Sequence, residues 1–256
     1  MRFAMLLMRG LLLLGGAAAA ASPSAVEFAR IEEWQLQQVA DTVGHDDARR
    51  QLIRQRLDGW QLLLDSPQNR ALDDAGKLKL VNDFVNQTPF QCDAAQWCVE
   101  DYWATPIELI ANHGGDCEDF AIAKFYALRA LGIADEQLRM IYARIEHRGV
   151  KGSHVVLAYY AAPGAEPLIL DNMDKKISPA TTRSDLTPVF SFNLKDVRTE
   201  RLWPAALGKE ALNPWRDTWQ AVGQAMGSGQ TIRFLTPAQR DTPQCKALRV
   251  RSTWCT

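Results

Sequence analysis

The chain has 256 residues, of which 47% are hydrophobic and 23% charged, and its formal net charge at pH 7 is −1. The hydrophobic fraction is ordinary for a folded protein and excludes a chain that is disordered throughout. The slightly acidic balance gives no support to nucleic-acid binding, which requires an excess of basic residues.

The N-terminal residues have the pattern of a secretory signal peptide. Arg2 and Arg9 flank short apolar runs, Leu11–Leu14 follow, and a run of alanines ends at Ala21. Such a segment is removed on export. An uncleaved membrane anchor is the alternative, although the apolar run is short for a membrane span. We therefore predict a signal peptide at 1–21 and a mature protein in the periplasm.

Residues 27–90 are predicted to be mainly helical. The clearest helical spacing is that of four apolar residues, Ile53, Leu57, Trp60 and Leu64. A further helix is expected around 78–85. A third should begin after Thr105, because Thr can cap a helix, Pro106 fits its first position and Glu108 lies three residues after the cap.

The second half of the chain changes from helical to strand patterns. After Gly114 and Gly115, residues 117–131 are predicted to form a helix that Gly132 ends. Alternating β-branched and aromatic residues then predict three strands, at 138–145, 154–160 and 168–171. The last two should form an antiparallel hairpin across Pro163 and Gly164. One more helix is expected at 214–226.

Five cysteines leave one thiol without an internal partner in an oxidising compartment. Four cysteines allow three pairings. Pairing of near neighbours is the simplest expectation, and it joins Cys92 to Cys98 and Cys245 to Cys255. Cys117 would then be the free thiol.

Cys117 has the surroundings of a nucleophile. It follows a glycine pair at the first turn of a predicted helix, where backbone amides and the helix dipole favour a thiolate. The same amides could stabilise an oxyanion. A buried, inert cysteine is the alternative.

A nucleophilic thiol needs a base, and the base needs an orienting group. Because the predicted hairpin brings the end of its second strand back to the first, His154 and Asp171 should lie within one or two ladder positions. Nδ1–H would then donate to the carboxylate and Nε2 would face the thiol. Asp174 is the second candidate for the orienting group. The other histidines fit less well: His45, His113 and His147.

Several runs of sequence resemble, in order, those of the bacterial transglutaminase-like cysteine proteinases; they lie at 101–106, 114–124, 138–139, 154–160, 167–172 and 188–193. The resemblance implies an α+β, papain/transglutaminase-like fold in which a helical lobe packs on a small antiparallel sheet. It also gives Cys117, His154 and Asp171 the roles of nucleophile, base and orienting group. We therefore divide the mature chain into a protease domain at 22–200 and a C-terminal extension of uncertain structure at 201–256.

The acidic residues beside the cysteine point to a cation. Asp116, Glu118 and Asp119 should raise the pKa of the thiol, and a bound cation would relieve this conflict. Carboxylate oxygens favour calcium over zinc. The family resemblance likewise implies calcium, with Asp116 and Glu118 as ligands and Asp119 as a further candidate. Acidic capping of a helix N-terminus is the alternative.

The resemblance also implies partners. The substrate would be a large cell-surface adhesin whose cleavage disperses a biofilm, and an inner-membrane cyclic-di-GMP receptor of the LapD kind would restrain the enzyme. Three other functions remain open: a transglutaminase that passes the acyl group to an amine, a non-catalytic binding module and a peptidoglycan amidase.

Overall fold

The computed structural model describes residues 31, 33–44, 46–147, 149–193, 197–199, 217–218, 220–222, 224 and 232–251. The predicted signal peptide therefore lies outside the described residues. No helix within the described ranges is long and apolar enough to cross a membrane.

Helices make up most of the first half of the chain. Their bounds are α1 Glu33–Val43, α2 Asp47–Asp65, α3 Pro67–Arg70, α4 Asp74–Val85, α5 Asp93–Gln96, α6 Pro106–Asn112 and α7 Cys117–Ala130. The helical prediction for this region is confirmed. The four residues that predicted α2 are all buried, because their spacing places them on one face: Ile53, Leu57, Trp60 and Leu64.

The start of α6 follows the predicted chemistry. Thr105 Oγ1 accepts the N–H of Glu108 at 3.3 Å, and Glu108 Oε2 accepts the N–H of Thr105 at 2.9 Å. This reciprocal capping box satisfies two backbone N–H groups that have no backbone carbonyl partner within the helix.

The second half of the chain forms one antiparallel sheet in the order β4-β3-β2-β1-β5-β6. The strands are β1 Leu138–His147, β2 Val150–Tyr159, β3 Leu168–Leu170, β4 Ser178–Pro179, β5 Leu186–Phe192 and β6 Val197–Thr199. The predicted hairpin of β2 and β3 is confirmed, with Leu157 opposite Leu170 and Tyr159 opposite Leu168.

The two faces of the sheet have different neighbours. Val155 and Leu157 of β2 share the main core with α2, α4, α6 and α7, which lie on the inner face. Val156, Ala158 and Ile169 form a smaller cluster on the outer face. A layer of helices on one face of an antiparallel sheet is an α+β fold, as predicted.

The outer face is crossed by the chain between β4 and β5. This crossing segment, residues 180–185, begins with a short 3₁₀ turn at Ala180–Thr182. Ala180 at its start and Leu186 just beyond it both pack against the outer cluster.

The C-terminal extension contains two short helices, α8 Pro237–Arg240 and α9 Pro243–Arg251. The described residues of the helix predicted at 214–226 are helical, namely 217–218, 220–222 and 224. The ends of that helix lie outside the described residues.

The predicted disulfide pairing is wrong. Cys98 is bonded to Cys245, with their Cα atoms 4.7 Å apart, and Cys92 is also disulfide-bonded. The near-neighbour expectation failed because it considered only the distance along the chain. Helix α9 packs against α5, which brings Cys245 beneath the loop that carries Cys98. Cys255 lies outside the described residues.

Candidate active site

The chain reaches Cys117 through a close backbone approach at Gly115. The Gly115 carbonyl accepts the N–H of Gln91 at 2.8 Å. A Cβ atom at Gly115 would lie 2.5 Å from Asp119 Oδ2 and 2.6 Å from Leu109 Cδ1, where no carbon atom fits. Glycine is therefore required in the turn that delivers Cys117 to the first position of α7.

Cys117 is free and partly exposed, as the odd cysteine count predicts. Its Sγ atom donates to Glu118 Oε2 at 3.0 Å. Burial raises the pKa of the thiol well above its usual value, and the charges of Glu118 and Asp116 raise it further. A hydrogen bond from the N–H of Val155 acts in the opposite direction.

The contact with Val155 places the thiol next to β2. Strand β3 pairs with β2 only from Leu157 to Tyr159, so the edge of β2 at Val155 is open to Cys117. Val155 directly follows His154 in the chain. The start of α7 and the middle of β2 therefore meet where the sequence places the nucleophile and the base.

His154 and Asp171 form a buried pair on the outer face of the sheet. Continuing the register of β2 and β3 by one residue places Asp171 opposite Val156, two residues from His154 and on the same face. His154 Nε2 lies 2.7 Å from Asp171 Oδ1. Both side chains are almost fully buried, with relative exposures of 2% and 1% for the residues. The proximity predicted from the hairpin is confirmed.

The prediction that Nδ1 of His154 contacts Asp171 is wrong. The structure pairs the carboxylate with Nε2 rather than Nδ1. Because Asp171 is displaced along the neighbouring strand, the outermost ring nitrogen reaches it, whereas Nδ1 lies close to the backbone of His154 itself. A carboxylate only accepts, so Nε2 carries the proton and Nδ1 is the nitrogen left for the thiol.

The other candidates do not join this pair. Asp174 accepts the N–H of Lys176 at 3.2 Å. His113 ends α6 in a left-handed conformation, with φ of 52°. Burial, and the charge of Arg56, lower the pKa of His113. His45 and the side chain of His147 lie outside the described residues.

A cluster of five carboxylates lies next to the thiol. Its ligand atoms form three overlapping groups, one of which includes Cys117 Sγ, and within each group they lie within 4.8 Å of one another. The members are Asp93, Asp101, Asp116, Glu118 and Asp119. Oδ1 of Asp93 and Oδ1 of Asp116 are buried without a hydrogen-bond partner within the described part of the chain. Burial and mutual repulsion raise the pKa of Asp93 to about 8 and raise those of Asp116 and Asp119 well above their usual value. Such a cluster fits a hard cation that would neutralise it.

The model of the family "Bacterial transglutaminase-like cysteine proteinase BTLCP" matches residues 64–186. The chain is similar to solved structures of LapG from Legionella pneumophila, in calcium-bound form (34% identity, TM-score 0.58), in a second form (35%, 0.58) and after EGTA treatment (34%, 0.59). These alignments cover 77% of this chain and 99%, 97% and 98% of LapG, respectively. No curated protein sequence matches significantly.

This chain belongs to the LapG-like bacterial transglutaminase-like cysteine proteinases. Membership of this family supports a cysteine protease. The resemblance on which the sequence analysis relied is thereby confirmed, and so is the α+β fold of this LapG-like proteinase.

Sequence reasoning missed Asp93 as a member of the acidic cluster. Asp93 begins α5, and its Oδ2 accepts the N–H of Tyr102 at 2.5 Å. It lies 24 positions before the cysteine, and only the packing of the loop at 92–101 brings it to Glu118 and Asp119. Its place directly after Cys92 is the local signal that the sequence offers for it.

Asp119 was predicted to be a further metal ligand, with acidic capping of the helix as the alternative, and in the structure it does cap the start of α7. Its Oδ1 accepts the N–H of Ala104 at 2.6 Å, and its Oδ2 accepts the N–H of Asp116 at 3.2 Å. Asp119 therefore holds the start of α7 against the preceding loop, and it stays within the cluster that fits a cation.

Arg183 was also missed. It donates from Nη2 to Asp171 Oδ2 at 2.7 Å, on the side of the carboxylate away from His154. No motif in the sequence marks it, because it lies in the crossing segment and meets Asp171 only through tertiary packing.

Proposed function

We propose that this LapG-like proteinase is a calcium-dependent periplasmic cysteine endopeptidase that cleaves a large cell-surface adhesin. The observation that carries the proposal is the buried pair of His154 and Asp171, together with the hydrogen bond that joins the thiol at the start of α7 to Val155, the residue after His154. Cys117 is the nucleophile, His154 the general base and Asp171 the group that orients the imidazole.

The arrangement supports peptide hydrolysis in two steps. Nδ1 of His154 accepts the thiol proton, and the thiolate attacks the carbonyl carbon of the scissile peptide. The backbone N–H of Cys117, at the N-terminus of α7, donates to the oxyanion. Nδ1–H then protonates the leaving amine, which leaves an acyl-enzyme. Water, deprotonated by the same nitrogen, hydrolyses this ester of the thiol and restores the free enzyme.

Asp116, Glu118 and Asp119 are the proposed calcium ligands, and the geometry adds Asp93 to them. The calcium-bound form of Legionella LapG supports calcium as the cation. A bound calcium ion would supply the positive charge that offsets these carboxylates and so favours the thiolate. Without it, burial and the charges of Glu118 and Asp116 hold the pKa of Cys117 high.

The location, substrate and regulator follow from the family resemblance and from the signal-like residues 1–21. The mature enzyme works in the periplasm, where it cuts the adhesin near its membrane-retention end. An inner-membrane cyclic-di-GMP receptor restrains it. Release of the adhesin ends surface attachment and disperses the biofilm.

The test is to incubate the purified mature protein with an adhesin fragment that contains the membrane-retention end. We expect two discrete fragments in calcium, none in excess EGTA, and recovery on adding calcium but not magnesium. Cys117→Ala should slow cleavage by at least about 10³-fold, because no other group replaces the nucleophile. His113→Gln, which changes a histidine that does not contact the pair, should cleave normally.

Three other results would contradict the proposal or indicate a different function. Cleavage that survives Cys117→Ala or excess EGTA contradicts the proposal. A cross-linked product instead of two fragments identifies an acyl transferase. Binding of intact adhesin, equal for wild type and Cys117→Ala, identifies a non-catalytic module.

A further inference from the structure

Arg183 occupies the crossing segment directly beside Asp171. We propose that Arg183 is a positioning residue of the protease site, which holds the Asp171 carboxylate in the orientation that accepts from His154. This inference rests on the proposed roles of Cys117, His154 and Asp171, and it assigns the reaction a residue outside that triad.

The carboxylate of Asp171 is held on both sides. Its Oδ1 accepts from His154 Nε2 at 2.7 Å and from the N–H of Met173 at 2.9 Å. Its Oδ2 accepts from Arg183 Nη2 at 2.7 Å. Because each oxygen has its own donor, rotation of the carboxylate would break at least one charge-assisted hydrogen bond.

Arg183 is itself fixed by Asp185. Its Nε and Nη2 atoms donate to the two carboxylate oxygens of Asp185, each at 2.8 Å. The residue is only 5% exposed, so little water competes for these bonds. Such a two-point contact uses the planar guanidinium, which a lysine ammonium cannot reproduce.

The crossing segment is anchored at both ends. The N–H of Ala180 donates to the Pro167 carbonyl, just before β3, at 2.9 Å. The N–H of Glu146 in β1 donates to the Asp185 carbonyl at 2.9 Å. Arg183 therefore lies in a preorganised position over the outer face, which is the face that carries His154 and Asp171.

The charges agree with this role. Burial would raise the pKa of Asp171, but hydrogen bonds from His154, Met173 and Arg183 outweigh it, and the pKa lies below its usual value. Burial would likewise lower the pKa of Arg183, and Asp185 and Asp171 more than reverse it. Asp171 also interacts with the buried Lys124 of α7. It stays ionised and able to accept from the imidazole.

The test compares Arg183→Gln and Arg183→Lys with wild type in the calcium-loaded cleavage assay. For Arg183→Gln we expect kcat to fall roughly 10- to 100-fold with KM unchanged, because the imidazole is misplaced but substrate binding is not. Loss of a cation favours protonation of a nearby base, so the acid limb of the kcat/KM profile, where the general base becomes protonated, should move to higher pH. Arg183→Lys should keep the wild-type limb and recover only part of kcat.

Arg129→Gln is the matched control. It removes an ion pair of similar length, 2.6 Å to Asp135, at the opposite end of α7 from Cys117. It should lower the melting temperature and leave kcat and the pH profile unchanged. If folded Arg183→Gln behaves in the same way, the positioning role is overturned. Should Arg183→Gln fail to fold, a folded Arg183→Lys with full kcat overturns it equally.

Cys117→Ala, assayed in parallel, distinguishes failure of the proposed function from failure of the positioning role of Arg183. If it still cleaves, the proposed function fails. If it is inactive while both Arg183 variants match wild type, only the positioning role fails.

Discussion

Lys124 is a buried lysine on the same helix as Cys117, and it has no solvent exposure. Its Nζ atom has no hydrogen-bond partner among the residues described. Burial lowers its pKa to about 7; the charge of Asp171 partly offsets this and that of Lys175 adds to it. A neutral amine in the core is tolerable, whereas an unpaired ammonium there costs stability.

Lys124→Met should therefore stabilise the protein at neutral pH. The folded pKa of about 7 lies below the ordinary value of 10.5, so the unfolded chain binds more protons between these values. Wild-type stability should rise with pH across this window. We expect the Met variant to have a free energy of unfolding roughly 2 to 4 kcal/mol higher near neutral pH, with the gain shrinking as the pH approaches the upper value. Urea unfolding at several pH values measures it.

Lys79→Met is the control for this change. Lys79 is exposed and forms an ion pair with Asp83 at the surface, so its replacement should alter stability by less than about 0.5 kcal/mol. If Lys124→Met proves no more stable than wild type at neutral pH, burial of Lys124 does not lower the free energy of unfolding, and the explanation by burial is wrong.

At the scale of residues, the sequence predicted the groups whose chemistry is local. Cys117 was recognisable by the glycine pair, the helix start and the odd cysteine count, and the contact of His154 with Asp171 by the hairpin. The ring nitrogen could not be predicted, because it depends on a displacement of one or two ladder positions. Asp93 and Arg183 could not be predicted either, since each reaches the site by packing between distant segments.

Among the elements, the turn into α7 is the most sensitive. Gly115→Ala would place a methyl group against Asp119 and Leu109. We expect unfolding to become easier by about 1 to 3 kcal/mol, with loss of cleavage, because the start of α7 must shift. Urea unfolding and the calcium-loaded cleavage assay measure the two effects.

Gly59→Ala in α2 is the comparison. Its Cβ would lie 3.7 Å from Phe84, an ordinary contact, so the change should be neutral or stabilise by up to about 1 kcal/mol. If Gly115→Ala unfolded and cleaved like wild type, the proposed clash of its methyl group with Asp119 and Leu109 would be contradicted.

Elements were predictable where their signals are contiguous in the sequence. The capping box at Thr105 and Glu108 and the hairpin of β2 and β3 each depend on a few neighbouring residues, and both were predicted. The crossing segment at 180–185 was not, because its position depends on contacts with β1 and β3 that no local pattern encodes.

At the scale of the whole molecule, the disulfide between Cys98 and Cys245 closes a loop over a separation of 147 residues. A cross-link of this span restricts the unfolded chain strongly. We expect the double variant Cys98→Ser, Cys245→Ser to unfold with about 3 to 5 kcal/mol less free energy in urea, for protein produced under oxidising conditions.

Cys117→Ser makes the same atomic change at a thiol that forms no disulfide. It should unfold within about 1 kcal/mol of wild type. A double variant that unfolds at the same urea concentration as this control would show that the bond contributes no stability. The pairing itself could not be predicted, because it reflects how α9 packs on α5 rather than the spacing of cysteines.

The proposed catalytic groups of a newly made chain come from two different layers of the fold. On the proposed roles, the helical layer contributes the thiol, and the strands contribute the imidazole and its carboxylate. Neither half can cut a peptide alone. A partly folded copy in which the two layers have not yet packed together therefore lacks the complete site and should not cleave other proteins.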